Sequence, residues 1–531
     1  MKKRSLMAAA TTMGMLLSLI PAGTVMADGE APTPATLILY GEESTRMSDF
    51  AEHELHDKVL EAINVDLTVQ YLPWSEYAGG KTELMLSTGE HFVTYTDTAF
   101  LSKCVSKGYY ADLTDVYEEN AQDLLKYCGG EEAFDTWKVN GQLYALPFGN
   151  KPNAGENYLL MAREDILKDV GMDDLKTIDD VEKFWQLAHE KYPEMIGFSR
   201  GGMNPMILNG AFDSDRNIYK LNGFVATDGN QPDSGEVWSF YESDEYKQAV
   251  EIANRWYEMG MIPSYVLSNG SQCDAQFYNG DALFTIGASY RVFEYQDIVM
   301  KANPNAVFKN YYLGDKTKKP LMSRGAYSTA FAVSADVEGD ELIGYVKLIN
   351  LLQSSQEWVD FILYGVEGKD YTVNEDGSFN MINTDVLVDT WLPDNINFKR
   401  YQNWVTDEQK ETYENWNEGC VDQKDIGFSF DLTPVSTEYA QLQAVEQEYF
   451  NPMTAGIVSY EDGYEEAVKK LKEAGIDAFV EEYQRQFQEF IDSKNNAAAT
   501  LVAAVSDFAE NSLQSANRAI TSPQKAVDNI Y

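Results

Sequence analysis

The stretch that most restricts the fold runs from Thr36 to Tyr95, where strand and helix patterns take turns. Thr36–Tyr40 is a short apolar run of the kind a buried strand presents, and Ser48–Ile63 carries Ala51, Leu55, Val59 and Ala62 at helical spacing. Val65, Leu67, Val69 and Tyr71 then alternate with Asp66, Thr68 and Gln70, the two-residue period of a half-buried strand. A helix over 78–88 and a third strand over Phe92–Tyr95 complete a β-α-β-α-β order. That order implies parallel strands joined by crossover helices.

Further along, Asn140-Gly141 between Trp137-Lys138-Val139 and Gln142-Leu143-Tyr144 predicts a tight hairpin, because both residues tolerate positive φ. Thr177 with Asp180 three residues on predicts a capped helix start. The α/β alternation resumes over 341–365. Gly475 separates two helices, the second amphipathic through Ile476, Phe479, Val480, Tyr483, Phe487, Phe490 and Ile491. From 495 to 531 the composition changes to Ala, Asn and Ser, which reads as a peripheral tail, and no internal repeat is visible.

Charge removes whole classes of function. Against 85 Asp+Glu the 531-residue chain has 41 Lys+Arg, a net charge of −44, and no basic patch with which to displace phosphate counterions. Nucleic acid is thereby excluded as a partner. Disorder is a poor reading too, since 44% of the residues are hydrophobic and 33 Tyr, 25 Phe and 9 Trp supply ample core. The length suggests two to four domains or lobes.

Lys2, Lys3 and Arg4, an apolar stretch from Leu6 to Ile20, and Val25-Met26-Ala27 follow the order of a secretory signal peptide cleaved after Ala27. No later stretch offers the roughly 18 consecutive apolar residues of a spanning helix. The cysteines, Cys104, Cys128, Cys273 and Cys420, lack metal-site spacing; Cys104 and Cys128 either pair after export or remain free with the others.

Several chemical motifs fail on inspection. Gly197-Phe198-Ser199-Arg200-Gly201 matches the nucleophile elbow, yet the fold that uses it needs a histidine downstream and all four (His53, His56, His91, His189) lie upstream. His53-Glu54-Leu55-His56 is one residue short of a zinc helix. The calcium-like start Asp213-x-Asp215-x-Asn217 lacks Gly at its sixth position, Ile218, and Glu at its twelfth, Phe224. No metal and no cofactor is therefore expected. A carboxylate pair for glycoside hydrolysis cannot be picked from 85 acids, so a secreted hydrolase stays open as an alternative, beside a surface glycan-binding adhesin.

The order of several weaker motifs is more specific. Trp74-Ser-Glu-Tyr77, Leu84-Met-Leu-Ser-Thr-Gly89-Glu90 and Gly141-Gln-Leu-Tyr-Ala-Leu-Pro147 resemble the extracellular solute-binding proteins of carbohydrate ABC importers. Met161–Leu167, Phe277–Phe284 and Gly325–Ser334 are similar to the segments that enter the second lobe of that family and return from it. Tyr364-Gly-Val-Glu367-Gly-Lys-Asp-Tyr371, Phe428–Val435 and Lys472–Gln486 resemble a Gram-positive, lipoprotein-like branch with its own C-terminal domain. That branch carries a lipobox cysteine, whereas the first cysteine here is Cys104.

The resemblance implies an α/β, two-lobed periplasmic-binding-protein-like fold of the maltose-binding type (class II), with a hinge and a helical C-terminal extension. Its expected divisions are a signal peptide (1–27), a leader (28–35), first lobe (36–147 and 321–365), second lobe (148–320 and 366–493, the latter with the C-terminal domain) and a tail (494–531). It implies a monomeric, non-enzymatic protein at the outer face of the membrane that captures a sugar between the lobes and passes it to permease subunits. Sugars offer apolar ring faces to aromatics and hydroxyls to carboxylates, amides and guanidinium groups. On position, Glu43, Tyr95, Asp97, Asn150, Tyr290, Arg291 and Tyr327 are the expected contacts, with Tyr95 and Tyr290 stacking from opposite lobes, and Trp391, Trp404 and Trp416 are further second-lobe stackers.

Overall fold

The structure, a computed structural model, describes residues 31–495 apart from 41–42, 74–75, 77–79, 129, 148–158, 200–203, 232–233, 288, 324–328, 384–394, 427 and 429. Its first sheet has five strands in the spatial order Val65–Leu72, Thr33–Tyr40, Val93–Asp97, Thr329–Val333 and Leu146–Pro147. The three opening strands are parallel, as the β-α-β-α-β order requires. Burial explains why they read differently in sequence. Leu37 to Tyr40 lie in an inner strand covered on both faces and form an unbroken apolar run, while Val65–Leu72 lies at the sheet edge and alternates.

Local expectations largely hold. Asn140 and Gly141 have φ of 53° and 84° between the antiparallel pairs Lys138–Val139 and Gln142–Leu143. The Thr177 hydroxyl accepts from the Asp180 amide at 3.1 Å while the Asp180 carboxylate accepts from the Thr177 amide at 2.9 Å. Gly475, at φ 92°, divides the helix Tyr460–Glu473 from the one over 476–495. The first helix starts earlier than its apolar spacing indicates, at Thr45, because the Ser44 hydroxyl caps it by accepting from the Met47 amide, and a π-helical turn, Phe50–Leu55, joins it to His56–Ile63.

A second sheet orders Phe308–Tyr311, Leu159–Arg163, Ala282–Gly287 and Ile196–Phe198. Ser199 follows its last strand, buried, with its hydroxyl donating to the Phe284 carbonyl at 3.2 Å, a structural use of the elbow-like motif. A smaller antiparallel sheet, Ile218–Lys220, Val225–Asp228 and Trp238–Ser239, packs with the helix Asp244–Glu258 against the C-terminal helices. In that core Phe224, Phe240 and Tyr246 meet Leu442, Phe450, Phe479 and Phe487.

One expected division is corrected. The chain was expected to re-enter the second lobe at 366, but Tyr371 and Phe379 lie in the first core, with Val373, Met381 and Phe398 packed against it. An ionic clamp accompanies this packing. Arg46 donates from Nε and Nη2 to the fully buried carboxylate of Asp370, at 2.9 and 2.6 Å, and from Nη1 to Glu54 at 3.0 Å. No disulfide joins Cys104 to Cys128; all four cysteines are thiols. Among the described residues no helix is long and apolar enough to cross a membrane.

Candidate functional site

Strand directions bring both lobes' functional ends together. Tyr40, Leu72, Asp97 and Pro147 are the carboxyl ends of their strands, and Thr329 begins the antiparallel partner directly opposite Asp97. The chain therefore leaves the first sheet after Pro147 and returns at Thr329 on the same edge. In the second sheet Leu159 enters opposite Gly287, and Leu160 lies opposite Tyr311, so the turn Ser289–Arg291 sits at the entry edge as well. In open α/β sheets this crevice outside the strand ends is where ligands settle.

From Thr98, the residue after Asp97, a cavity of about 840 Å³ opens along the helix Thr98–Ser106 of the first lobe. Its opposite wall is made by Gln423, Asp425, Ile426, Phe428 and residues 430–433, with Leu221 and Asn222. Phe100, Phe430 and Tyr439 are half-buried there and turn ring surface toward the space. Behind them the rings are braced: Phe430 lies 4.5 Å from Tyr483, and Tyr439 stacks on Phe479 at 5.8 Å and 21°. The volume sits at the upper end of small-molecule sites, and rings beside amides, hydroxyls and charges are what such a site needs to bind a polyhydroxylated ring.

Electrostatics there are balanced internally. Lys103 donates to Glu83, and Lys107 to the other oxygen of the same carboxylate at 3.4 Å. Burial pushes the Glu83 carboxyl up, but the Lys103 hydrogen bond and both ammonium charges outweigh it and hold the group below its ordinary value. Asp431 is also held low, by the Thr433 hydroxyl and backbone amide. Its ionised carboxylate is thus a hydrogen-bond acceptor. Among the described residues no group of three or more His, Cys, Asp and Glu is arranged to hold a metal.

The residues singled out from sequence divide into three sets. Asn150, Tyr327 and Trp391 lie outside the described residues, and for Tyr290 only the backbone, in the Ser289–Arg291 turn, is described. Glu43, exposed, accepts from the Ser48 hydroxyl at 2.6 Å; Asp97, half-buried, ends its strand; Arg291, half-buried, pairs with Glu294 at 3.2 Å. The third set does not line that cavity, although the Tyr95 hydroxyl donates to Asp97 at 3.5 Å and Tyr95 lines a small cavity beside Phe100. Tyr95 is 7% exposed in the first core, edge-on to Tyr40 at 6.3 Å, because its strand is buried on both faces. Trp404 lines a separate 220 Å³ cavity within the second lobe, and Trp416 is buried against Leu159 and Leu321 beneath Lys316. The wall at 423–439 was not anticipated as a site. Its aromatic run Phe428–Phe430 was visible, but nothing local in sequence shows that it faces residues 98–107.

Comparison with known proteins settles the family. The family of bacterial extracellular solute-binding proteins matches over residues 54–354, more than half of the chain. The chain belongs to that family. A domain of unknown function (DUF3502) matches residues 425–492. Among solute-binding relatives, a carbohydrate ABC transporter substrate-binding protein of Streptococcus pneumoniae serotype 4 is 25% identical over 451 residues, 82% of this chain and 86% of the relative. The crystal structure of the N-glycan transport solute-binding protein from Streptococcus pneumoniae covers 87% of this chain and 100% of its own, with TM-score 0.68 and 21% identity. Its complex with Man1GlcNAc gives 0.65 and 20%, covering 86% and 99%. An HMO-binding, ABC-transporter-associated solute-binding protein from Bifidobacterium longum infantis gives 0.60 and 16%, covering 87% and 100%. The two-lobed α/β fold is common to this solute-binding protein and these structures.

Proposed function

We propose that this solute-binding protein captures a carbohydrate, an oligosaccharide, between its lobes and delivers it to the permease of an ABC importer. The observation that carries the reading is the 840 Å³ cavity walled by both lobes, with half-buried aromatic rings beside amide, hydroxyl and carboxylate groups. The carbohydrate named for the pneumococcal relative and the glycan in its structural neighbour support it. Glu43, Asp97 and Arg291 bind hydroxyls near the strand ends, with Asn150, Tyr290, Tyr327 and Trp391 completing the contacts around the crossings. The lobes close by hinge motion about those crossings. The protein is exported by its N-terminal segment and works as a monomer, without catalysis.

A thermal-shift screen of mono- and oligosaccharides tests the reading. Ligand at 100 times its Kd raises apparent stability by about 2.7 kcal/mol. Stabilisation by at least one sugar, recovered chemically unchanged, is expected. No shift with any glycan refutes the carbohydrate, and a released hydrolysis product refutes the absence of catalysis.

A further inference from the structure

We infer that the domain of unknown function at 425–492 is the outer ligand wall of the interlobe cavity, and that it selects a neutral oligosaccharide several units long. The inference rests on the carbohydrate reading above and adds what the C-terminal domain does and which glycans it admits.

Three observations carry it. First, the cavity extends away from the strand ends rather than ending at them. It follows Thr98, Phe100, Lys103 and Ser106 along a nine-residue helix that is about 13 Å long at 1.5 Å per residue. A single pyranose held at the strand ends fills only the inner part; further units must lie along the helix, opposite Phe430, Asp431 and Tyr439.

Second, the wall is fixed to the second lobe and so moves with it. The Gln484 amide donates to the Gly235 carbonyl at 2.7 Å and accepts from the Val237 amide at 2.9 Å, and Asn254 donates to the Gly456 carbonyl at 2.9 Å. Tyr241 donates to Glu446. These bonds join the C-terminal region to the segments flanking the strand Trp238–Ser239 and to the helix Asp244–Glu258, over the shared core of Phe224, Phe240 and Tyr246. Hinge closure therefore presses Phe430 and Tyr439 toward the first-lobe helix, and a chain of sugar rings between them is gripped along its length.

Third, both cations that line the cavity, Lys103 and Lys107, are bonded to Glu83. An anionic sugar has to compete with that carboxylate and faces Asp431 across the cavity. A neutral chain meets ring faces and hydrogen-bonding groups without that competition.

The experiment is calorimetry on the full chain with neutral gluco- and manno-oligosaccharides, from the monosaccharide to the hexasaccharide, and oligogalacturonates of matching length. Wild type is expected to gain affinity with length and to bind the neutral series over the anionic one. Phe430→Ala and Tyr439→Ala should each weaken the longest bound member about tenfold while leaving the shortest bound member within twofold. Because both rings also pack on Phe479, Thr433→Trp and Ser106→Trp provide a second route: both positions are exposed, so the indole fills the cavity without entering a core, and should cause the same length-dependent loss. Unchanged affinity for long glycans in all four variants overturns the inference. So does an equal loss for short and long ones, or a preference for the anionic series. If wild type binds short sugars and no variant matters, the carbohydrate reading survives and the wall does not; if wild type binds no glycan, both fall.

Discussion

Replacing Arg46 with Met should unfold the first lobe at a markedly lower temperature. The guanidinium is 10% exposed and the Asp370 carboxylate 0% exposed, and the pair is a two-bond fork at 2.9 and 2.6 Å. Without Arg46, Asp370 keeps, among the described residues, the Val366 amide at 2.9 Å as a donor. Removing one partner of a buried ion pair costs about 3–5 kcal/mol, because the other charge stays desolvated. Glu54 retains Lys369 at 2.6 Å, which places the cost toward the lower end, about 3–4 kcal/mol. For a unit of roughly 200 residues each kcal/mol moves the midpoint by about 2–4 °C, so the expected loss is about 6–16 °C. Scanning calorimetry measures it. The double variant Arg46→Met/Asp370→Leu should recover much of the loss, since an apolar pair leaves no buried charge. A single-variant loss below about 3 °C, or a double variant worse than the single, would show that residues 366–381 are not clamped as described.

Other expectations follow from the same geometry. Burial pushes Asp370 up, but the Arg46 hydrogen bonds, the Val366 amide and nearby cations hold it below its ordinary value; the clamp is therefore complete above the usual carboxylate range and is lost as pH falls through the depressed value, so wild type and Arg46→Met should converge in Tm under acid conditions. Gly456→Ala should destabilise the second lobe by about 2–4 kcal/mol in urea titration, because φ is 77° and the new methyl would sit 2.2 Å from the Ala253 carbonyl oxygen; a cost under 1 kcal/mol would contradict that close approach. Thr177→Ala should cost about 1 kcal/mol through the lost helix cap, and Thr177→Ser, which keeps the hydroxyl, should cost less. Reducing agent should leave Tm unchanged, since all four cysteines are thiols; a drop would reveal a disulfide.

What sequence reveals here is whatever is local in the chain. The two-residue alternation of Val65–Tyr71, the Asn140-Gly141 turn and the Thr177 cap each depend on neighbours a few residues away, and each forms as read. The burial of Tyr95 was hidden for a definite reason. An aromatic near the end of a strand looks alike whether it faces a crevice or a helix layer, and only the pairing of Val93–Asp97 between two strands shows that it is enclosed. The wall at Phe430 and Tyr439 was hidden for the opposite reason: its meaning depends on Thr98–Ser106, more than 300 residues earlier. The clamp was equally remote, since no local pattern ties Arg46 to Asp370, and that is why the boundary at 366 was set too early.

The core shared by residues 218–250 and 428–491 has a consequence for how the protein is made. Phe224, Phe240 and Tyr246 wait for partners synthesised some two hundred residues later, so this part of the second lobe cannot close while the chain is being extended. A chain that lacks its last hundred residues would present these rings to solvent as an adhesive surface for proteases and chaperones. Correct burial of these rings thus reports that synthesis has passed Phe487.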